Sequence, residues 1–484
     1  MTLLMLLEMV ASAFGDRLAI GTATSGITYQ QLLDRAGAGA EVLRRHGAAH
    51  LAYVAGSDPA FPVALFASAW AGVPFLPLNY RLGDDQLAAL LANHADVLVI
   101  ADDPARCAGM AATVLSVDEW NAATTEAAGP EASATDGEDI AVLLYTSGTT
   151  AAPKAVVLRH RHLTSYVVTS VEFAGADDTD ATLVSVPPYH VAGVANALSN
   201  VYAARRIVYL PAFSPDAWLT TVRAEGISHA MVVPTMLARV VEHLGAEPAG
   251  CGTLRSLAYG GARTPITVLE RALAAFPDTD FVNAYGLTET SSTIAVLGPD
   301  DHRSAAAGDE AARQRLTSVG RLVPGIEVEI RDEEIWVRGE QVSGEYLGLA
   351  AAVDGEGWFP TRDRGWVDDD GYLFIEGRSD DTIIRGGENI APAEIEDVLL
   401  THPGVLEVAV VGLPDDEWGQ RIAAAVVRRP GAGVDAAELQ AYARERLRSS
   451  KTPDVIAFRD ELPHTDTGKL LRRSVLADLE KETS

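Results

Sequence analysis

The sequence predicts an α/β protein of at least two domains, with large βα-layered sheets first and a compact α+β unit last. Three observations carry that expectation. Short β-branched apolar runs alternate with longer Ala/Leu-rich ones, the texture changes between Val319 and Phe374, and 484 residues exceed one ordinary hydrophobic core.

The first run, MTLLMLLEMVASAF, lacks a basic leader and is interrupted by Glu8, so an amphipathic helix is expected rather than a signal peptide. Strand-like runs at 51–55, 97–101, 182–186, 206–210 and 230–233 alternate with helical ones such as 64–70 and 235–244. This pattern predicts βα units on mostly parallel sheets. Two polar stretches, 124–139 and 300–315, are expected as loops. From 319 to 374 Gly and Pro punctuate short strands such as 327–331 and 334–337, the texture of a small antiparallel sheet or barrel. Beyond Gly377 come a helix at 393–400, strands at 405–411 and 422–428, and a helix at 436–446. A domain boundary is expected near 377–381.

Composition narrows the function. A formal charge of -29, from 38 Lys+Arg against 67 Asp+Glu, argues against a nucleic-acid polymer as partner, because such binding needs a basic face that displaces counterions. Two cysteines, Cys107 and Cys251, exclude a disulfide framework and suit a reducing compartment. No apolar run approaches the length of a bilayer span, so stable membrane insertion is not expected and a cytoplasmic enzyme is the default reading.

The segment LLYTSGTTAAPKA carries the most chemistry. Leu143, Leu144 and Tyr145 suit a buried strand, and Gly148 permits a turn of positive φ after it. Thr146, Ser147, Thr149 and Thr150 bring hydroxyl donors and Lys154 a mobile positive charge, a set that grips the phosphates of a nucleoside triphosphate. A solvated Ser/Thr/Gly loop is the plain alternative. The Walker pattern is absent, since no glycine directly precedes Lys154 and Ala155 follows it.

Downstream, Asn283-Ala284-Tyr285-Gly286-Leu287-Thr288-Glu289 offers an aromatic ring for adenine, a hydroxyl for the α-phosphate and a carboxylate for Mg2+. A strand-end turn with a surface glutamate is its alternative. Thr361-Arg362-Asp363-Arg364-Gly365 reads as a tight loop whose Asp363 either accepts both ribose hydroxyls or stays solvated.

In this order, these segments resemble the adenylate-forming superfamily of acyl- and aryl-CoA synthetases, peptide-synthetase adenylation domains and firefly-type luciferases. The resemblance extends through VGR at Val319-Gly320-Arg321 with Pro324-Gly325, GRSDDTIIRGGENIAPAEIE from Gly377, DDEWGQ from Asp415 and PHTDTGKLLRR from Pro463. It implies a large N-terminal domain, residues 1–379, of two βα-layered subdomains plus a small antiparallel β subdomain. A small mobile C-terminal α+β domain, residues 380–484, would follow, with its hinge near Asp380.

The resemblance also implies the reaction: ATP and Mg2+ activate a carboxylic acid as an acyl-adenylate, then a CoA thiol takes the acyl group. The loop Thr146, Ser147, Gly148, Thr149, Thr150 and Lys154 would hold the β- and γ-phosphates. Tyr285 with Gly260, Gly261 and Ala262 would frame adenine, beside Asn283, Ala284 and Gly286. Thr288 would touch the α-phosphate, Glu289 would bind Mg2+, and Asp363 and Arg378 would bind ribose. Lys469 would bridge the carboxylate and ribose in the first step, where charge develops at phosphorus. Its local alternative is a solvated lysine on the turn of Thr465, Thr467 and Gly468.

Rotation about Asp380 would then withdraw Lys469, and Gly386 and Gly387 would leave room for pantetheine. His190, in PPYHVAG, would gate an acyl pocket lined by Gly193, Val194, Thr235, Met236, Tyr259, Gly260 and Ser291; a core histidine is the alternative for His190. These mostly small or neutral side chains suit an apolar acyl or aryl acid. Arg205 and Arg206 are expected to flank a strand and face solvent or an acidic neighbour. Arg444, Arg446, Arg448, Lys451 and Arg472 would meet the CoA 3′-phosphate or an acidic carrier protein. A carrier-loading enzyme and a non-catalytic nucleotide-binding relative are the competing readings, and a homodimer stays open.

Five positions depart from the family pattern. Ala151 and Ala155 stand where glycine is usual, an alanine costing on the order of 1 kcal/mol if the backbone there is left-handed. Arg263 stands where proline is often found, Arg362 where glycine is, and Arg364 where a small or apolar residue is more usual.

Overall fold

The computed structural model describes residues 1–126, 129, 131–146, 153–415, 418–465 and 470–483. A six-stranded sheet is ordered Thr113–Ser116, Val97–Ala101, His50–Val54, Phe75–Pro77, Ile140–Thr146 and Lys154–Arg159, parallel except for its last strand. A nine-stranded sheet has Asp280–Leu287, Ser256–Gly260, His229–Val232, Ala181–Val184 and Arg206–Tyr209 as its parallel centre.

Inner strands such as Val97–Ala101 and Ala181–Val184 are buried along their whole length because both faces of the sheets are covered. In Val97–Ala101, Leu98 and Ile100 enter the core shared with the second sheet, whereas Val97, Val99 and Ala101 enter a separate cluster on the opposite face. The expected first helix, Leu3–Phe14, buries Leu3, Leu4, Leu6, Leu7 and Val10 in the shared core and exposes Met5 and Met9, the amphipathic pattern of a surface helix.

A four-stranded antiparallel sheet, Glu327–Arg331, Glu334–Arg338, Phe359–Val367 and Leu373–Arg378, has its own core around Ile335, Val337 and Phe359. The last sheet pairs Val405–Asp415 with Gly419–Arg428 and Val455–Arg459. Alternate residues of its strands feed two cores, Val408, Val410, Ile422 and Ala424 on one face and Ala409, Val411, Ala423 and Ala425 on the other. Helices Pro392–Leu400 and Ala436–Arg446 contribute Ile395 and Leu439 to the first core, and helix Arg472–Thr483 contributes Val475 and Leu479 to the second. These two clusters contain no residue before Ile383.

Three sequence expectations are corrected. The stretch expected as a loop over 300–315 holds helices Pro299–Ala306 and Glu310–Arg315, because Pro299 opens the first and the Asp309 side chain accepts from Ala311 N and Ala312 N at the start of the second. Residues 124–126 of the other expected loop finish helix Val117–Glu126. Asp363 lies within strand Phe359–Val367, not on a tight loop; Arg362 has φ 62° and kinks the strand just before it. Among the described residues no helix is long and apolar enough to cross a membrane, and Cys107 and Cys251 are buried free thiols.

Candidate functional site

Strand Ile140–Thr146 leads into the candidate phosphate loop and strand Lys154–Arg159 leaves it. Their antiparallel register sets Thr146 opposite Lys154. Ser147, Gly148, Thr149, Thr150 and Ala151 lie outside the described residues. Ala155 pairs with Tyr145, is buried, and is not among the non-glycine residues of positive φ, so the strain considered for an alanine here does not arise. Near the end of strand Ile140–Thr146 the Tyr145 hydroxyl lies 2.7 Å from His94 Nε2, and burial pushes His94 down to about 4, which keeps it neutral.

Strand Asp280–Leu287 ends in a 3-10 turn, Thr288–Thr290, that carries the candidate metal carboxylate. Glu289 Oε1 accepts from the Tyr346 hydroxyl at 2.8 Å, and the Tyr346 ring lies 5.4 Å from Lys154 Nζ. Burial, then Glu289, push the Tyr346 hydroxyl up, so it is a donor. Tyr346 escapes sequence reasoning because 57 residues separate it from Glu289 and no local motif marks it. Glu289 Oε2 and the Thr288 hydroxyl have no hydrogen-bond partner among the described residues. No cluster of three His, Cys, Asp or Glu side chains occurs among them either. One carboxylate with a spare oxygen fits Mg2+, which takes most of its ligands from phosphate and water.

The nucleoside side is built from the same strand. The Tyr285 hydroxyl donates to Asp363 Oδ2 at 2.6 Å, and Arg378 Nε lies 3.3 Å from Asp363 Oδ1. Asp363 is buried. Gly260 pairs with Ala284, and a Cβ there would sit 2.1 Å from the Ala284 carbonyl oxygen; a Cβ on Gly286 would sit 1.7 Å from that of Ser292. Only glycine lets these strand ends approach so closely. Gly261 and Ala262 are exposed beyond the strand end, and Asn283 Nδ2 donates to the Ser318 carbonyl. A crevice of about 460 Å³ opens between Arg263, Ile375 and Arg378 on one side and Pro392 and Asp397 on the other. Arg263 Nη2 pairs with Asp397 Oδ2 across it.

His190 precedes helix Val191–Tyr202, half-buried, with its ring 4.5 Å from that of Tyr189. A Cβ on Gly193 would meet the Pro187 carbonyl oxygen at 2.8 Å, so this helix start must be close to the PPYH turn. Thr235 is half-buried and Met236 retains a little exposure. Val194, Tyr259 and Ser291 are 0%, 1% and 0% exposed. The Tyr259 hydroxyl is bonded to His302 Nε2 at 2.8 Å, and Ser291 Oγ donates to the Gln341 carbonyl. Arg206 meets Glu225 as one expected alternative had it, but Arg205, half-buried, donates to Asn200 Oδ1 instead of facing solvent or an acid.

Asp380 is exposed in the 3-10 turn Ser379–Asp381. Gly386 and Gly387, at φ 57° and 84°, turn the hairpin of Ile383–Arg385 and Glu388–Ile390, with exposed Trp418 hydrogen-bonded to Gly386. Lys469, Thr467 and Gly468 lie outside the described residues. Of the expected basic cluster, Arg472 is held by both oxygens of Glu396 and Lys451 pairs with Glu394 at 2.5 Å, which leaves Arg444 and Arg448 exposed.

The family model for AMP-binding enzymes matches residues 7–347, and that for the AMP-binding enzyme C-terminal domain matches residues 394–469. The chain is 35% identical to a feruloyl-CoA synthase of Amycolatopsis sp over 469 residues, covering 93% of this chain and 94% of the relative. It is 32% identical to the fatty acid–[acyl-carrier-protein] ligase ScoC of Streptomyces coeruleorubidus over 481 residues, covering 93% and 91%. The structure of O-succinylbenzoate coenzyme A synthetase from Bacillus subtilis, in complex with ATP and magnesium ion, superposes with a TM-score of 0.83 at 28% identity, covering 98% of this chain and 99% of that one.

Proposed function

The chain belongs to the AMP-binding enzyme family, and from that premise we propose that it is an acid–thiol ligase, an acyl- or aryl-CoA synthetase. A carboxylate oxygen attacks the α-phosphorus of ATP and the bond to the β-phosphate breaks, which gives acyl-adenylate and pyrophosphate. The CoA sulfur then attacks the acyl carbon as its proton is lost to solvent, and AMP departs with the bonding pair. One observation carries the reading: Tyr285 and Glu289, four residues apart, anchor an Asp363–Arg378 cluster suited to ribose and a Tyr346–Lys154 cluster suited to phosphate.

In this reading Gly260, Gly261, Ala262 and Tyr285 frame adenine, Asp363 and Arg378 hold ribose, and Thr288 donates to the α-phosphate. Thr146 through Lys154 hold the departing phosphates. Glu289 would hold Mg2+ through its carboxylate, and the ion when bound would neutralise charge on those phosphates. Residues 1–379 form the domain that binds ATP and acid, and residues 380–484 form the domain that brings Lys469, with Asp380 as hinge and Gly387 beside the thiol path. His190, Gly193, Thr235 and Met236 border the acid, whose class is apolar acyl or aryl.

The test is carboxylate-dependent pyrophosphate exchange with ATP and Mg2+ across short, medium, long and aromatic acids, followed by thioester formation with CoA. Exchange with at least one acid, lost in Lys469→Ala, is expected. No exchange with any acid sinks the reading. A second acceptor, a carrier-protein phosphopantetheine, is supported by the 32% identity to an acyl-carrier-protein ligase; adenylate formation without thioester on CoA would favour it. The two buried free thiols support a reducing, cytoplasmic setting, and sedimentation separates a monomer from a homodimer.

A further inference from the structure

Residues Ser343 to Leu347 run along strand Lys154–Arg159 as an added edge. Val157 N donates to the Glu345 carbonyl at 2.9 Å, Leu347 N to the Ala155 carbonyl at 2.9 Å, and Ser343 Oγ to the Val157 carbonyl. Arg159 grips both carboxylate oxygens of Glu345 at 2.8 and 3.0 Å.

The same segment is tied to the turn that carries Glu289. Ser343 N donates to the Glu289 carbonyl at 2.8 Å, and Gln341 Nε2 to the carbonyls of Thr290 and Thr293 at 3.0 and 2.8 Å. Tyr346 is therefore fixed from two directions. Its ring faces Lys154 and its hydroxyl reaches Glu289.

We propose that Tyr346 is the positioning residue of the phosphate half-site: its hydroxyl holds Glu289 Oε1 so that Oε2 faces the metal, and its ring holds the Lys154 ammonium beside the phosphates. The proposal rests on the reading above that Glu289 serves Mg2+ and Lys154 serves phosphate. A carboxylate oriented by a neighbouring donor binds metal better than one free to rotate, because ligand orientation is set outside the coordination sphere. A cation over a tyrosine face is held where a solvated lysine would wander.

The experiment is calorimetric binding of ATP to the full chain, with Mg2+ titrated and with EDTA, for wild type, Tyr346→Phe, Tyr346→Leu, Glu289→Gln and the Glu289→Gln/Tyr346→Phe double variant. Tyr346→Phe is expected to raise the half-saturating Mg2+ concentration on the order of 10-fold, while melting temperature and ATP affinity in EDTA stay at wild type. Tyr346→Leu also weakens ATP in EDTA, about 3-fold for a lost exposed cation–π contact.

In the Glu289→Gln background the phenylalanine change should have no further effect on the Mg2+ dependence. A Phe variant with wild-type Mg2+ dependence, or an equal loss with and without Glu289, overturns the proposal, and the second comparison decides even if the Phe variant is less stable. Mg2+-linked ATP binding is read without any acid, so absence of pyrophosphate exchange would overturn the functional reading alone.

Discussion

The Tyr285 hydroxyl donates to Asp363 Oδ2 at 2.6 Å, joining two residues 78 positions apart, while Arg378 approaches the other carboxylate oxygen. The aromatic ring proposed for adenine and the carboxylate proposed for ribose thus belong to one hydrogen-bonded unit. Removing a donor costs the buried Asp363 carboxylate one of its partners, at about 1.5–3 kcal/mol for a bond to a charged group. Asp363→Ala is expected to raise KM for ATP on the order of 10- to 100-fold, and Tyr285→Phe to raise it less while leaving the KM for the acid unchanged. Initial rates at varied ATP check this, and an unaltered ATP dependence in Asp363→Ala would contradict it.

Arg362 has φ 62°, its N–H bonds Glu334 Oε1 at 2.9 Å, and its own side chain is exposed. A glycine would adopt this backbone without the Cβ penalty, so Arg362→Gly should stabilise by up to about 1 kcal/mol. Urea unfolding measures the change. A midpoint below wild type would mean that the arginine side chain contributes more than its backbone costs.

Arg263 and Asp397 pair across the crevice, each side chain about two-fifths exposed, which is worth little in global stability, about 0–1 kcal/mol. Its effect should be on rate, because the pair links the segment after Gly260 and Gly261, proposed to frame adenine, to helix Pro392–Leu400. Arg263→Asp is expected to change pyrophosphate exchange several-fold at low salt, Arg263→Asp/Asp397→Arg to restore it, and high salt to erase the difference. Failure of the charge swap to restore the rate counts against the link.

Acid should unfold this protein through its histidines. Burial pushes His94 and His160 down to about 4 and His162 to about 3, and Nδ1 of the last two accepts the backbone N–H of Leu3 and Arg159, which requires neutral rings. A folded value below the ordinary 6.5 means that the unfolded chain binds more protons, so stability is full above about 6.5 and falls as pH drops towards 4. Each histidine contributes a slope of at most about 1.4 kcal/mol per pH unit in that window. Melting temperature against pH measures it, and His160→Gln should flatten the fall.

Much of the architecture was legible because strand and helix periodicities are local. The strands Val97–Ala101 and Glu327–Arg331 and the helix Ala436–Arg446 stand where the pattern placed them. The 300–315 stretch was missed because its helices depend on Pro299 and the Asp309 cap rather than on an apolar stripe. At the site, short motifs named the residue types well, and exposure poorly: Tyr259 and Ser291 look available in the sequence yet are buried with their hydroxyls engaged.

The sequence by itself determined the order of the sheets, the candidate nucleotide motifs and the acidic, thiol-poor character of the chain, all properties of neighbouring residues or of composition. Only the tertiary structure decided which distant side chains meet: Tyr285 with Asp363, Arg263 with Asp397, and Tyr346 between Lys154 and Glu289. It also decided that Ala155 sits unstrained in a strand while Arg362 takes the left-handed backbone. The physical reason is that backbone conformation and polar pairing depend on which strand lies alongside, and that neighbour is supplied by residues far away in the chain.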